Sequence, residues 1–255
     1  MKAIYKKELR SYFVNPIGYI YLGAFLTFSA FLACYTTLIS GTYSTASYFS
    51  NLILSFIVLI PLLTMRLFAE ERKMKTEQLL LTAPVSITGM VLGKYFAALT
   101  IFAGGILASA VNLIPLYIIG AAERSGTTSQ MRHIGPVTGE IIGSLFAVLL
   151  LGAALIALGT LISALTENQL SAAVISVGAI ALLVLASLFN RLTDADGQPL
   201  LTRIFRTVID WVSVYSRFSL FAAGIFDYAA LIYDLSLAFL FLFLTVRLYE
   251  RRRLG

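Results

Sequence analysis

Gly93-Lys94 is the one Gly-Lys pair in the chain, and the only point at which a phosphate-binding loop could be sought. Such a loop needs glycines that let backbone amides reach the phosphates, then a lysine followed by Ser or Thr, in the order G-x-x-x-x-G-K-[ST]. Tyr95 follows Lys94 and an apolar run opens behind it, so ATP is not bound by that route. His133 is the single histidine and Cys34 the single cysteine. An intrachain disulfide, a cysteine-rich or His-pair metal site and the H-E-x-x-H motif of a zinc protease are thereby excluded. A serine intramembrane protease needs a His beside a membrane-embedded Ser, but His133 falls in a loop and G-x-S-x-G does not occur. A paired-aspartate protease needs two Asp in apolar segments, where Asp234 stands alone. Catalysis by this chain is not expected, nor a cofactor of its own.

The charged residues that remain concentrate in residues 66–95, RLFAEERKMKTEQLLLTAPVSITGMVLGKY. Glu70, Glu71, Arg72, Lys73, Lys75 and Glu77 give way to Leu79-Leu80-Leu81. Leucines flanked by charges suit docking of a soluble partner, and equally suit burial against neighbouring helix ends beneath a solvated face. Thr76 can cap a short helix that Ala83-Pro84 stops, and Ser86 or Thr88 can cap the next one.

Membrane spans must position this segment. Of the 255 residues 59% are apolar and 13% charged, about half the charge of a soluble domain, which excludes a soluble globular protein. Lipid leaves backbone hydrogen bonds to the chain itself, so long apolar runs must be helical. Six are predicted: 17–39, 48–68 with Pro61 and Arg66, 95–119, 141–165, 170–189, and 228–246 with Asp234. Six crossings put both termini on one side. That side then carries thirteen of the nineteen Lys and Arg residues, in 1–16, 66–94 and 247–255. Positive charge beside spans marks the cytoplasmic face, which explains the net charge of +6 by topology and leaves no role for nucleic acid.

Residues 3–14 read as an amphipathic helix, ended by Asn15-Pro16. Ile4, Tyr5, Leu9, Tyr12 and Phe13 share one half, and Lys6, Lys7 and Arg10 the other. Residues 1–16 are therefore expected at the membrane interface, with Tyr12 toward the acyl boundary and Lys6, Lys7 and Arg10 near anionic headgroups of membrane lipid. The pairs Gly104/Ala108, Gly143/Ala147 and Gly159/Ser163 have small-xxx-small spacing, which permits close helix contact. Residues 190–227, with helical spacing over 201–213, are expected either to dip into the outer leaflet or to lie flat on it.

The order EER, KT-E, LLLTAPVS and GKY resembles the cytoplasmic region of ABC-2-type transporter permeases, nearest the gliding-motility and nitrous-oxide-accessory branch. Glu71, Arg72, Thr76, Leu79, Leu80, Pro84, Gly93 and Lys94 fit in order and spacing, whereas Lys75 stands where the common pattern has Gly. The resemblance covers the whole chain as a single permease domain, 1–255. It implies an all-α polytopic membrane protein of type V exporter-like architecture in the inner membrane, with six transmembrane helices. It makes residues 66–94 a coupling segment on a cytoplasmic ABC ATPase, which binds ATP and Mg. Glu70, Glu71 and Arg72 would pair with that ATPase. Thr76, Leu79, Leu80 and Pro84 would form the packing surface, and Glu167 in the 165–169 turn a second contact. A second permease copy or a homologous permease completes the expected assembly. The competing readings are a membrane scaffold of an envelope machine and an ion-gradient transporter, for which Asp234 is the one membrane carboxylate.

Overall fold

The computed structural model describes residues 1–78, 85–126, 135–192, 218, 221 and 227–254. Among these residues the regular structure is helical. The α-helices are α1 (Lys2–Val14), α2 (Pro16–Ala33), α3 (Ala46–Thr64), α4 (Ala69–Lys73), α5 (Ile87–Ser109), α6 (Ile114–Gly126), α7 (Thr138–Leu165), α8 (Gln169–Leu192) and α9 (Tyr228–Leu254). α2 continues into a π-helical turn, Cys34–Ile39, and a 3₁₀ turn, Ala110–Leu113, joins α5 to α6.

Among the described residues, five helical stretches are long and apolar enough to cross a membrane: Pro16–Ile39, Ala46–Lys73, Ile87–Glu123, Thr138–Leu165 and Tyr228–Arg253. The predicted run 170–189 lies within α8, whose described apolar stretch is the shorter Gln169–Leu185. The expected start at Tyr95 is corrected: α5 opens at Ile87, and Ser86 caps it by accepting a hydrogen bond from the Gly89 amide. Gly93 and Lys94 therefore stand in the second turn of the helix instead of in the preceding connection.

α3 is the central element. In the most apolar part of Ala46–Lys73, 72% of the residues are buried, against 22% in that of Tyr228–Arg253 at the periphery. Phe102 of α5 stacks edge-on against Phe56 of α3 and Phe25 of α2, with centroids 5.2 and 6.5 Å apart. Its ring presses so closely on Gly152 of α7 that an added Cβ would lie 2.1 Å from it. Gly159 of α7 meets Thr64 in the same way, and Ser163 one turn on is fully buried. Gly104 and Gly143, from the other two small-residue pairs, face open space.

α7 and α9 run parallel. Ala147 and Leu151 share a small cavity with Ala230 and Asp234, and Arg252 reaches the Ala164 carbonyl at the other end. Met1 lies against Gly89 and Gly93, so both termini meet the start of α5 at that same end.

A candidate coupling site at the end that carries both termini

Helices leave their last four carbonyls and first four amides without intrahelical partners. At this end α3 stops at Thr64, α4 begins at Ala69, and α7 stops at Leu165, so many orphan groups come together. Side chains from distant parts of the sequence satisfy them. The Tyr12 hydroxyl donates to the Leu63 carbonyl (2.7 Å), and Lys94 Nζ donates to the Leu67 carbonyl (2.6 Å). Ser163 Oγ accepts from the Phe68 and Ala69 amides (3.1 and 3.2 Å) and so caps α4 from another helix. Arg72 donates to the Leu165 and Thr166 carbonyls, both at 3.2 Å.

Two ionic clusters grow from these caps. In the first, the Lys94 ammonium is 1% exposed and sits 2.9 Å from Glu71 and 3.2 Å from Glu8. An isolated charge there would be strongly disfavoured, and two carboxylates with a carbonyl satisfy its three donors. Lys7 approaches the same carboxylates from outside at 3.5 and 3.8 Å. Arg66 pairs with Glu70 (3.0 Å), donates to Ser11 (2.9 Å) and lies over the Tyr12 ring. A cleft of about 270 Å³ opens among Lys7, Asn15, Arg66, Glu70 and Met74.

In the second cluster, Arg72 pairs with Glu77 (3.4 Å) and Glu167 (3.7 Å), and Arg252 pairs with Glu77 from the other side (3.0 Å). A wider cleft of about 580 Å³ lies beside them, lined by Lys73, Lys75, Gln78 and Glu167. Glu71 and Arg72, neighbours on α4, thus send their side chains into different clusters. Together they tie α4 to α1, α5, the α7–α8 turn and, through Glu77, α9.

α4 ends in a Schellman turn. The Lys75 amide donates to the Arg72 carbonyl and the Thr76 amide to the Glu71 carbonyl, both at 3.0 Å. Lys75 adopts φ of +56°, the left-handed conformation that glycine takes without strain. The departure from Gly at this position therefore falls on the residue whose backbone most favours glycine. The Thr76 hydroxyl donates back to the Glu71 carbonyl at 3.3 Å, and most of the short helix it is expected to cap lies outside the described residues.

The residues singled out from sequence are placed as follows. Glu70, Glu71, Arg72 and Thr76 sit at this end, and their ion pairs are internal to the chain. Glu167 joins them with its side chain 85% exposed. Leu79, Leu80 and Pro84 lie outside the described residues. Lys6, Lys7 and Arg10 are exposed on α1. Tyr12 departs from expectation: it is 1% exposed and turned onto the bundle, because its hydroxyl satisfies the free carbonyl near the end of α3. Burial raises the Tyr12 pKa above its usual value, with Arg66 pulling the other way, so the hydroxyl stays protonated and keeps donating.

Sequence reasoning missed Glu8, Arg66, Lys94, Ser163 and Arg252. One signal was available: Tyr5, Glu8 and Tyr12 share a helix face, and a carboxylate on an aromatic face asks for a buried cation. Among the described residues no cluster of His, Cys, Asp or Glu could hold a metal ion.

A family model described as ABC-2 family transporter protein matches residues 19–248, nearly the whole chain. The chain belongs to the ABC-2 transporter family. It is an integral membrane protein of the permease type that family comprises. Comparison with curated proteins found no match.

Proposed function

We propose that this chain is the membrane subunit of an ATP-driven exporter, and that a separate ATPase docks on the end built by α4 and the 165–169 turn. The observation that carries the proposal is the wiring of α4. A five-residue helix is tied through Glu71 and Arg72 to α1, α5 and the α7–α8 turn, and through the Arg72–Glu77–Arg252 chain to α9. A push on α4 is thereby shared among helices that pack along the whole bundle. Lys73, Lys75 and Glu167 stay exposed beside the wider cleft, as a partner's contact surface requires.

On this reading Glu71 and Arg72 transmit movement inward, and the partner is met by the residues around them, Leu79 and Leu80 included. The membrane is crossed six times. α7 and α9 both finish at the docking end, so the chain must return between them. α8, at 24 residues about 36 Å long, exceeds the ~30 Å hydrocarbon core. The docking end then faces the cytoplasm with both termini, and α1 lies along the inner leaflet with Lys6, Lys7 and Arg10 toward headgroups. A second permease copy or a homologous permease completes the pathway. Within the family we assign the chain to the gliding-motility and nitrous-oxide-accessory branch, on the LLLTAPVS and GKY pattern.

Purification in mild detergent tests this reading. A P-loop ATPase should remain bound, and ATP turnover should require it. Turnover by the pure permease would mean a nucleotide site in this chain, and absence of any ATPase would favour a scaffold in an envelope machine.

A further inference from the structure

Arg252 lies near the C-terminus, 175 positions from Glu77, yet the two pair at 3.0 Å. Its second terminal nitrogen donates to the Ala164 carbonyl at 2.9 Å, and its guanidinium lies over the Tyr249 ring. Tyr249, 1% exposed, packs in turn against Phe68, the residue that precedes α4. Arg253 donates to the Val85 carbonyl at 3.4 Å. The last turn of α9 therefore holds the chain at Phe68, at Glu77 and at Val85. Glu77 is the shared acceptor: it takes Arg252 on one oxygen and Arg72 on the other.

We infer that Arg252 is a positioning residue of the coupling site: the last turn of α9 clasps Glu77, which orients Arg72 toward the 165–169 turn and fixes the shape of the docking cleft. The inference rests on the function proposed above, because it supposes that a partner reads that shape. A guanidinium suits the task. Its planar fork reaches Glu77 and the Ala164 carbonyl together, whereas a lysine ammonium on a flexible stem fixes no such plane. Arg251 is exposed on the same turn and serves as the control position.

The test has two arms. In the first, the full-length permease with its co-purified ATPase is assayed for ATP turnover per permease as Arg252→Ala, Glu77→Ala, the double variant and Arg251→Ala. Residues that act as one unit are non-additive. Each single change should lower turnover about tenfold, the double change should lower it by about the same tenfold instead of a hundredfold, and Arg251→Ala should leave it unchanged. Arg252→Lys should recover part of the loss. In the second arm the permease alone, with Cys34→Ser, carries spin labels at Lys73 and Arg251, both exposed. Arg252→Ala should broaden the distance distribution between them. Unchanged distances, or losses that multiply in the double variant, would overturn the clasp. Should the wild-type chain retain no ATPase while the distances still broaden, the docking reading would fail and the clasp would stand as an internal tie.

Discussion

Replacing Lys94 with Met removes the charge at the centre of the first cluster and keeps most of the side-chain volume. Removing one partner of a buried ion pair costs about 3–5 kcal/mol, because the other is left uncompensated. Here the stranded groups are Glu8 and Glu71, whose side chains keep 11% and 15% exposure, with Lys7 still 3.8 and 3.5 Å away. Partial hydration and Lys7 argue for the lower end, about 3 kcal/mol. The Leu67 carbonyl also loses its donor, about 1 kcal/mol more. At about 2–4 °C per kcal/mol for a chain of this length, thermal unfolding in detergent should fall by about 8–16 °C. The triple variant Lys94→Met, Glu8→Gln, Glu71→Gln removes both stranded carboxylate charges and should recover at least half of the loss, since a buried ionic cluster exchanged for neutral groups is often close to neutral. Unfolding followed by tryptophan fluorescence and by size-exclusion chromatography after heating gives the readout. If Lys94→Met melts within 2 °C of wild type, or the triple variant melts as low as the single one, the ammonium does not compensate those carboxylates.

Three further outcomes are expected. Lys75→Gly should raise stability by about 1 kcal/mol and Lys75→Val should lower it, as thermal unfolding will measure, because the left-handed backbone there strains every side chain and β-branched ones most. Gly152→Ala should destabilise by about 1–3 kcal/mol through overlap with Phe102, while Gly143→Ala, facing open space, should leave the melting temperature unchanged. Cysteines introduced at Lys75 and Ala121, with Cys34 replaced, should react with an impermeant maleimide from opposite sides of the membrane; labelling from one side would refute the six-crossing path.

Apolar runs free of charge made three of the spans legible, 17–39, 95–119 and 141–165, since lipid allows such a run only one backbone solution. Hydropathy alone misplaces the boundary at α5, whereas Ser86, one of the two expected caps, marks it. Lys94 interrupts the hydropathy and reads as the edge of a span, yet it sits inside the helix because Glu8 and Glu71 meet it there from segments 86 and 23 positions away. Hydropathy scores a lysine as exposed and has no means to anticipate two carboxylates brought by tertiary folding. Small-xxx-small spacing named three helix contacts equally well, and only in Gly159/Ser163 does the glycine meet a neighbour, where Ser163 caps α4. The spacing reports that close approach is possible, while the neighbour that uses it comes from the packing of α3 and α7. Tyr12 was misjudged for a related reason. Its ring belongs to the apolar half of α1, but the free carbonyl at Leu63 that captures its hydroxyl exists only once α3 has ended beside it.

The central claim is that force enters this chain at one end, through a separate ATPase seated on α4 and the 165–169 turn. Photo-crosslinking amino acids placed at Lys73 and at Glu167, both exposed, test it most directly, with Ala121 at the opposite end as reference. In intact cells the first two positions should each trap a chain carrying a P-loop ATPase motif, and trapping should change when ATP is depleted. Ala121 should trap none. Crosslinks to an ATPase from Ala121, or none from Lys73 and Glu167 while the protein remains folded in the membrane, would contradict the account.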